Sequence, residues 1–455
     1  MVSVMPSSNC MVNLRYAEGT LVTLDSHLQA RLPNELLILI ASYTHRKRDL
    51  ASLCLVSRIF RNIATPILYR VVEIIEPKDS TGTDVARHFS LYRTLRDRRF
   101  SQFVIEIYCR LEGQKICAKH VHPTTKGRPS RCCSCNDYDL ALGGTLLCLS
   151  NLQVLDLQCR LCRWSHFHPY LYDLQLPKLK ELRFTCRGSS RVNRPFEEPK
   201  SLFSTPYMRG VIALALDCDY SWLDGAATEH EPFRLDVDTL SNLRTLDHNG
   251  HTSCNRLLMA RPIERMCVEQ ASWQKTPLLH DGIRLSPGKL SHLFMADILP
   301  WLPGAMRSDL EPYRHLRYIG RIVFSGTQVF DSHLGSLLTR RRLMTCQEAT
   351  VLSEMSLFNL LSGLEMVEIE QRFRSIMSGG ALIPRAFSPT RSFLDLLRVQ
   401  HPALRWVLLT GDQYLTRWSP VPIQTVLWER KDKWERRVVL NPGHWKILNG
   451  GLDHL

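Results

Sequence analysis

A spacing of three apolar residues recurs along most of this chain: apolar, two residues, apolar, one residue, apolar. Nine copies are present, and a weaker one begins at Leu316. The nine begin at Val104, Leu152, Leu179, Val211, Leu243, Ile263, Leu290, Leu364 and Leu404. With the weaker copy at Leu316 included, the spacings between starts range from 20 to 48 residues. Short alternating apolar runs predict strands, and self-similarity of this kind predicts a repeat architecture.

Helical patterns lie between some of these predicted strands, as in "VARHFSLYRTLRDRR" and "RSFLDLLRVQ". A strand, a crossover and a further strand at this period predict parallel strands. With lead-ins such as "LSNLQVLDL" and "LPKLKELRF", the pattern resembles leucine-rich repeats. The expected fold is therefore α/β, with an irregular leucine-rich-repeat solenoid of parallel strands over residues 71–412. The asparagine usual after such strands is absent in most copies, so we expect irregular turns. The alternative is an ordinary α/β domain in which the spacing arises by chance.

The last alternating segment, "TVLWERKDKWERRVVL", predicts a β-hairpin that turns at Lys431-Asp432. A hairpin at this position would cover the exposed last strand of the solenoid. We assign residues 413–455 to this cap and a tail, and residues 1–30 to a partly disordered N-terminal extension.

Residues 31–70 carry three short helical patterns. Pro33 fits a first helical turn, Asp49 and Ser57 are candidate caps of the second and third helices, and Pro66 is expected to end the third. "ILYRVVEII" then predicts a strand. Three helices of this length bury too little surface to be stable alone. Their apolar residues are therefore expected to face either the rest of this chain or a partner.

The same stretch resembles an F-box, in the form found in fungal proteins. The residues that carry the resemblance run from Leu32-Pro33 through "VSRIFRNIATPILY", and they cover less than a tenth of the chain. The resemblance implies binding to the Skp adaptor of a cullin-based ubiquitin ligase. It implies that the contact is formed or supported by Leu32, Pro33, Leu36, Ile40, Leu53, Val56, Ser57 and Phe60. The basic run Arg46-Lys47-Arg48 departs from the pattern and would lie at the rim of the contact.

Strand side chains alternate, so the residues between the inward leucines should line the other sheet face. That predicted face is rich in acids, although the whole chain is basic. We expect it to bind a target protein with a basic segment, anchored by aromatic residues. The candidate target-binding residues are Tyr108, Asp156, Asp217, Asp247, Glu269, Phe294, Glu368 and Trp406. The alternative is a face that is solvated or covered by insertions.

The chain has 455 residues, with 58 Lys and Arg against 44 acids, and a formal net charge of +14. The basic clusters are short and the predicted sheet face is acidic, so we expect no nucleic-acid partner. The N-terminus has no signal-peptide core and no apolar run reaches spanning length, so we expect no membrane partner. The 15 cysteines are expected to be reduced thiols in the cytoplasm or nucleus.

Two stretches combine cysteine and histidine, the ligands that zinc prefers. The first offers Cys117, His120, His122, Cys132, Cys133 and Cys135, and the second offers Cys159, Cys162, His166 and His168. The first stretch lacks the usual knuckle spacing, and the second directly follows a repeat strand. We therefore assign neither a metal nor another cofactor.

No recognised nucleophile elbow, phosphate-binding loop or zinc-protease motif is present in the sequence. The leading interpretation is a non-catalytic substrate receptor that joins an Skp–cullin ligase to a target. The alternatives are an interaction scaffold without a ligase role, a zinc-bearing nucleic-acid binder, and an enzyme with an unrecognised site.

Overall fold

The computed structural model describes the chain in segments separated by gaps. They are residues 32–44, 46–75, 82–111, 133–160, 170–187, 203, 205–218, 238–248, 258–268, 276–295, 309–325, 352, 355, 358–372, 389–410 and 423–441. The chain divides into two compact units, unit 1 (Met1–Leu179) and unit 2 (Lys180–Leu455). The division lies inside the region 71–412 that the sequence assigns to one solenoid, and the predicted domain bounds remain predictions.

Unit 1 begins with helices and continues with parallel strands. Its elements are α1 (Asn34–Tyr43), α2 (Lys47–Val56), α3 (Arg58–Arg70), β1 (Val71–Ile75), α4 (Gly82–Arg96), α5 (Arg98–Ser101), β2 (Glu106–Leu111), α6 (Cys133–Leu146) and β3 (Val154–Arg160). Strand β2 pairs in parallel with β1 and with β3, so that Val72, Ile107 and Leu155 lie side by side. All three are buried, as the spacing of the apolar residues predicts.

Unit 2 contains the larger sheet. Its elements are β4 (Glu181–Arg187), a 3-10 helix (Pro206–Gly210), β5 (Ala213–Cys218), β6 (Thr245–His248), β7 (Arg265–Val268), α7 (Thr276–Leu285), β8 (His292–Met295), a second 3-10 helix (Glu311–Tyr313), β9 (Tyr318–Ser325), β10 (Met366–Arg372), α8 (Arg391–Gln400), β11 (Trp406–Thr410), β12 (Ile423–Arg430) and β13 (Trp434–Asn441). From β4 to β11 each strand pairs in parallel with the next one along the chain.

The first apolar residue of each repeated pattern forms a buried turn just before its strand. All of the predicted first residues are buried, including the one in the weaker copy at Leu316. In most copies the backbone N–H of this residue donates to the carbonyl three residues earlier, as Leu152 does to Leu149 and Leu404 does to His401. The repeated sequence pattern is therefore a repeated structural unit, a turn followed by a strand.

The predicted C-terminal hairpin is confirmed. Strand β12 pairs antiparallel with β11 and with β13, and the chain turns between Arg430 and Trp434. Helices α4 and α8 likewise form where the helical patterns between the strands predict them.

Two local predictions in the N-terminal helices are wrong. Helix α3 continues past Pro66 to Arg70, so "ILYR" is helical and only Val71–Ile75 is a strand. Proline has a helix-compatible φ and removes one backbone hydrogen bond, a loss offset here because Ile67 and Leu68 pack on the helical core. Asp49 lies in the first turn of α2 but does not cap it, because the N-cap residue is Arg46.

Within the described residues, no helix combines the length and apolar character needed to cross a bilayer.

Candidate functional site

The first three helices pack around a small core. Its buried centre consists of Ala41 from α1, Leu50 from α2 and Ala64 from α3. Two of these three residues are alanines, so the helices approach closely and enclose little apolar volume. Leu53, Cys54, Ile63, Ile67 and Leu68 pack around this centre and are only partly buried.

The reversal between α2 and α3 is held by two hydrogen bonds. The hydroxyl of Ser57 accepts from the backbone N–H of Phe60 at 3.2 Å, which confirms the predicted cap. Arg61 Nε donates to the carbonyl of Cys54 at 3.2 Å, in the last turn of α2. The two bonds fix the chain direction at the turn, so the apolar residues on either side of it have defined positions.

Large apolar side chains are exposed on these helices in unusual number. Of the sixteen that are exposed in the described residues, nine belong to the short segment from Leu32 to Ile59. We call these nine the apolar helix surface: Leu32, Leu36, Ile38, Leu39, Ile40, Tyr43, Leu55, Val56 and Ile59. Leu55 is 81% exposed, and Tyr43 and Val56 are each 69% exposed. Exposed apolar side chains concentrated in one short segment are typical of an interaction site.

The basic run Arg46-Lys47-Arg48 begins α2 and borders this surface. Arg46 and Arg48 are exposed, whereas Lys47 is half-buried. Burial lowers the pKa of Lys47, and the nearby carboxylate of Glu73 in β1 partly offsets the effect. The two exposed arginines are therefore the charges available to a partner at this edge.

Within each unit, several residues predicted to bind a target lie at matched positions on neighbouring strands. In unit 1 the parallel register places Tyr108 beside Asp156. In unit 2 it places Asp247 beside Cys267, and Cys267 beside Phe294. It also aligns Met366 with Trp406, and Glu368 with Leu408. Asp217 lies in β5 opposite Thr185, and Glu269 lies outside the described residues.

The predicted exposure of this face is wrong. Asp247 and Glu368 are 0% exposed, and Asp156 and Phe294 are 2% exposed. Tyr108 and Trp406 are half-buried, and the Tyr108 hydroxyl donates to Glu106 Oε2 at 2.8 Å. A side chain that solvent does not reach has no surface to offer to a target, and direct recognition by the four buried residues would require them to become exposed.

Unit 2 has a second apolar cluster where the sequence predicted an open acidic face. Its buried members are Cys267, Phe294, Tyr318, Met366, Leu408 and Leu427, and Trp406 packs against them. The ring of Phe294 lies over Gly320 on the neighbouring strand, in space that a Cβ would occupy. Buried Glu368 accepts a hydrogen bond from the Tyr318 hydroxyl at 2.7 Å. The strands are thus buried on both faces, which is typical of parallel sheets.

Residues 29–74 match the family model of the F-box-like domain. The chain carries an F-box-like domain. The match includes α1, α2, α3 and almost all of β1. No curated protein matches the chain.

The structure distributes the predicted adaptor-binding residues between the surface and the core of the F-box-like domain. Leu32, Pro33, Leu36, Ile40 and Val56 are exposed. Leu53 and Phe60 are half-buried, and Leu53 packs against the core. Ser57 is exposed, but its hydroxyl is engaged in capping α3. Binding of the adaptor by these residues remains a prediction.

Five members of the apolar helix surface were missed by the sequence analysis: Ile38, Leu39, Tyr43, Leu55 and Ile59. A signal for part of this set was present, because Leu36, Leu39, Ile40 and Tyr43 follow the i, i+3, i+4, i+7 spacing of one helical face. Leu37 and Ala41 are also four residues apart, and they form the buried face of α1. A helix that is apolar on both faces needs cover on both.

No group of side chains suited to hold a metal ion occurs among the residues that the structure describes. Of the first cysteine–histidine stretch, Cys117, His120, His122 and Cys132 lie outside the described residues, whereas Cys133 and Cys135 belong to α6. In the second stretch Cys159 is buried, and Cys162, His166 and His168 lie outside the described residues.

Proposed function

We propose that this protein is a non-catalytic substrate receptor of an Skp–cullin ubiquitin ligase. Its F-box-like domain binds the Skp adaptor, and its repeat body captures a target protein. The single observation that carries the proposal is the apolar helix surface, nine exposed apolar residues within the matched domain. Covering this surface with a partner removes apolar area from water, which is the main driving force of such association.

We propose further that the repeated turn and strand belong to an irregular leucine-rich-repeat solenoid. The support is the buried lead-in residue with its backbone turn, repeated before successive parallel strands. Such a receptor needs no reactive groups of its own, because it acts by raising the concentration of target near an enzyme on another subunit. We place its action in the cytoplasm or nucleus, where free cysteines persist.

The adaptor proposal is tested by capture of the protein on immobilised Skp adaptor. The variant Leu36→Ala/Ile40→Ala/Val56→Ala removes three exposed apolar side chains and leaves the core residues Ala41, Leu50 and Ala64 untouched. We expect its affinity to fall about tenfold or more, because truncating central apolar contacts is the main way to weaken an interface.

A matched control removes equivalent side chains from unit 2. The variant Leu285→Ala/Leu360→Ala/Val399→Ala loses exposed aliphatic groups of similar size, and we expect it to bind the adaptor as the wild type does. Circular dichroism should show that both variants remain folded. Absence of adaptor binding by the wild type would refute the adaptor role, and equal binding by the first variant would refute the apolar helix surface as the contact.

The scaffold alternative makes a different prediction for the assembled complex. A receptor promotes ubiquitin transfer to a captured protein when cullin and a charged ubiquitin-conjugating enzyme are added. A scaffold that only binds the adaptor leaves the captured protein unmodified.

A further inference from the structure

A row of residues crosses the sheet of unit 2 at the N-terminal ends of its parallel strands and at the C-terminal end of the antiparallel strand β12, and backbone hydrogen bonds join its members. The N–H of Glu365 donates to Arg317 O at 2.8 Å, that of Arg405 to Glu365 O at 2.7 Å, and that of Arg430 to Arg405 O at 2.8 Å. The same row includes Lys180, Ile212, Arg244, Glu264 and Ser291 earlier in the chain. It therefore contains four arginines, one lysine and two glutamates along one edge of the sheet.

The two glutamates in the row neutralise two of the four arginines. Arg244 Nη1 lies 2.6 Å from Glu264 Oε1. Arg317 binds Glu365 through two bonds, Nε to Oε1 at 3.0 Å and Nη2 to Oε2 at 2.7 Å. No ion pair joins Arg405 or Arg430 to an acid within the described residues, so positive charge accumulates at the C-terminal end of the row.

A third arginine adds to this charge. Arg398 is exposed on α8, and with Arg405 and Arg430 it forms what we call the arginine cluster. Arg398 lies in the last turn of α8, and the Arg430 guanidinium reaches the chain at Pro402, two residues after that helix ends. Burial lowers the pKa of Arg430, and the positive charges of Arg398 and Arg405 lower it further. Arg430 Nη1 donates to the carbonyl of Pro402 at 2.8 Å, which holds its guanidinium in place. Like charges held together are unfavourable unless an anion joins them.

The hairpin of β12 and β13 forms the surroundings of Arg430. Trp434 lies directly opposite Arg430 in the antiparallel register, so both side chains project from the same sheet face. The buried indole N–H groups of Trp428 and Trp434 have no acceptor in the described chain. Two of the three hairpin acids are engaged, Glu429 with Arg437 at 2.8 Å and Glu435 with Lys431 at 3.2 Å, and the third, Asp432, is exposed in the turn. The engaged acids are therefore not available to neutralise the arginine cluster.

We propose that Arg398, Arg405 and Arg430 form a binding site for an anionic peptide segment, one that carries carboxylates or phosphates. Guanidinium groups bind both anions through paired hydrogen bonds. A peptide fits better than a nucleic acid. A nucleic acid is bound by positive charges spread along its phosphate backbone, whereas here the unpaired arginines are confined to one end of a row whose other arginines are neutralised. The binding of an anionic segment does not depend on the proposed function. The assignment of that segment to the target of a ligase does depend on it.

Fluorescence anisotropy of labelled peptides tests the site in the full-length protein. The probes are a short aspartate-rich peptide, the same peptide with a central phosphoserine, and a lysine-rich peptide of the same length. We expect one or both anionic peptides to bind and the lysine-rich peptide not to bind. The variant Arg398→Gln/Arg405→Gln/Arg430→Gln should bind them about tenfold or more weakly, because it loses three charge-assisted contacts.

The control variant Arg209→Gln/Arg284→Gln/Lys289→Gln removes the same charge from exposed positions of unit 2 that belong neither to the row nor to α8. We expect it to bind the anionic peptides nearly as the wild type does. Equal losses in both variants would show attraction by net charge alone and would overturn the site. Inorganic phosphate that competes as well as the phosphopeptide, or single-stranded RNA that binds more tightly than either peptide, would also overturn the assignment to a peptide.

Capture on the Skp adaptor separates this proposal from the preceding one. The arginine-cluster variant should bind the adaptor normally, because the apolar helix surface is unchanged. Normal adaptor capture without peptide binding would refute only the anion site, and peptide binding without adaptor capture would refute only the ligase role.

Discussion

The apolar helix surface of unit 1 and the second sheet face of unit 2 reverse the usual distribution of side chains. On the F-box-like helices, leucines, isoleucines and a tyrosine are exposed to water. On the sheet, Asp247 and Glu368 are completely buried beside an apolar cluster. The side-chain chemistry of a face therefore does not determine its exposure; what covers the face does.

The two regions also differ in the free energy that each would gain by binding a partner. Covering the helix surface transfers apolar groups out of water, which favours association. The buried acids are already desolvated, and Glu368 already accepts a hydrogen bond from Tyr318. Exposing them to a target would sacrifice packing that stabilises the fold. A partner is consequently better accommodated by the helices, or by the exposed arginine cluster, than by the acidic residues of the sheet.

The largest effect is expected for Phe294→Ala. Phe294 is buried in the second cluster, so its truncation should lower the unfolding free energy by about 3–5 kcal/mol. Urea-induced unfolding followed by intrinsic fluorescence measures the change. Wild-type stability combined with lost target binding would instead restore the predicted role of Phe294 as an exposed anchor.

A matched pair of leucines in α2 separates core from surface in the F-box-like domain. Leu50 is buried and Leu55 is exposed. We expect Leu50→Ala to lower the unfolding free energy by about 2–4 kcal/mol and Leu55→Ala to change it by less than about 0.5 kcal/mol. Thermal unfolding of this domain, followed by circular dichroism, compares the two.

Adaptor capture should rank the same pair differently. At a temperature where both variants are folded, Leu55→Ala should bind the Skp adaptor more weakly than Leu50→Ala, because only Leu55 belongs to the apolar helix surface. The reverse ranking would place the adaptor contact elsewhere on the domain.

An intermediate effect is expected for Tyr318→Phe. This change removes the donor at 2.7 Å from buried Glu368 and leaves the carboxylate with one fewer partner. The cost should be about 1–3 kcal/mol of unfolding free energy. If urea denaturation shows no change, water reaches Glu368, and the sheet face is more open than its burial indicates.

The smallest effect is a dependence of stability on pH that involves His401. Burial lowers the pKa of His401, and the hydrogen bond to the carbonyl of Met355 offsets part of this decrease. At a pH where the imidazole is protonated in the unfolded chain, it is therefore still neutral in the folded protein. Stability from this group should be complete above about pH 6.5 and should fall at lower pH, by less than about 1.4 kcal/mol per pH unit. The difference in unfolding free energy between wild type and His401→Gln, measured across that range, isolates the contribution. A difference independent of pH would contradict it.

Local sequence signals determined much of the secondary structure. The apolar spacing predicts the parallel strands and which residues share a face, because strand side chains alternate regardless of their surroundings. Ser57 caps α3 as predicted, since a cap needs only neighbouring backbone groups. The prediction at Pro66 was wrong because a tertiary effect opposed the local one: packing of α3 on the core outweighed the lost hydrogen bond.

Only the tertiary structure decided what is covered. The sequence placed Asp247, Phe294 and Glu368 on one sheet face, but their burial depends on distant residues such as Tyr318 and Leu427. The arginine cluster is another such case, because Arg430 is joined to Arg405 and to the segment after α8 only by the pairing of the hairpin with the last parallel strand. Exposure and charge proximity are properties of long-range contacts, and these do not follow from the periodicity of any single segment.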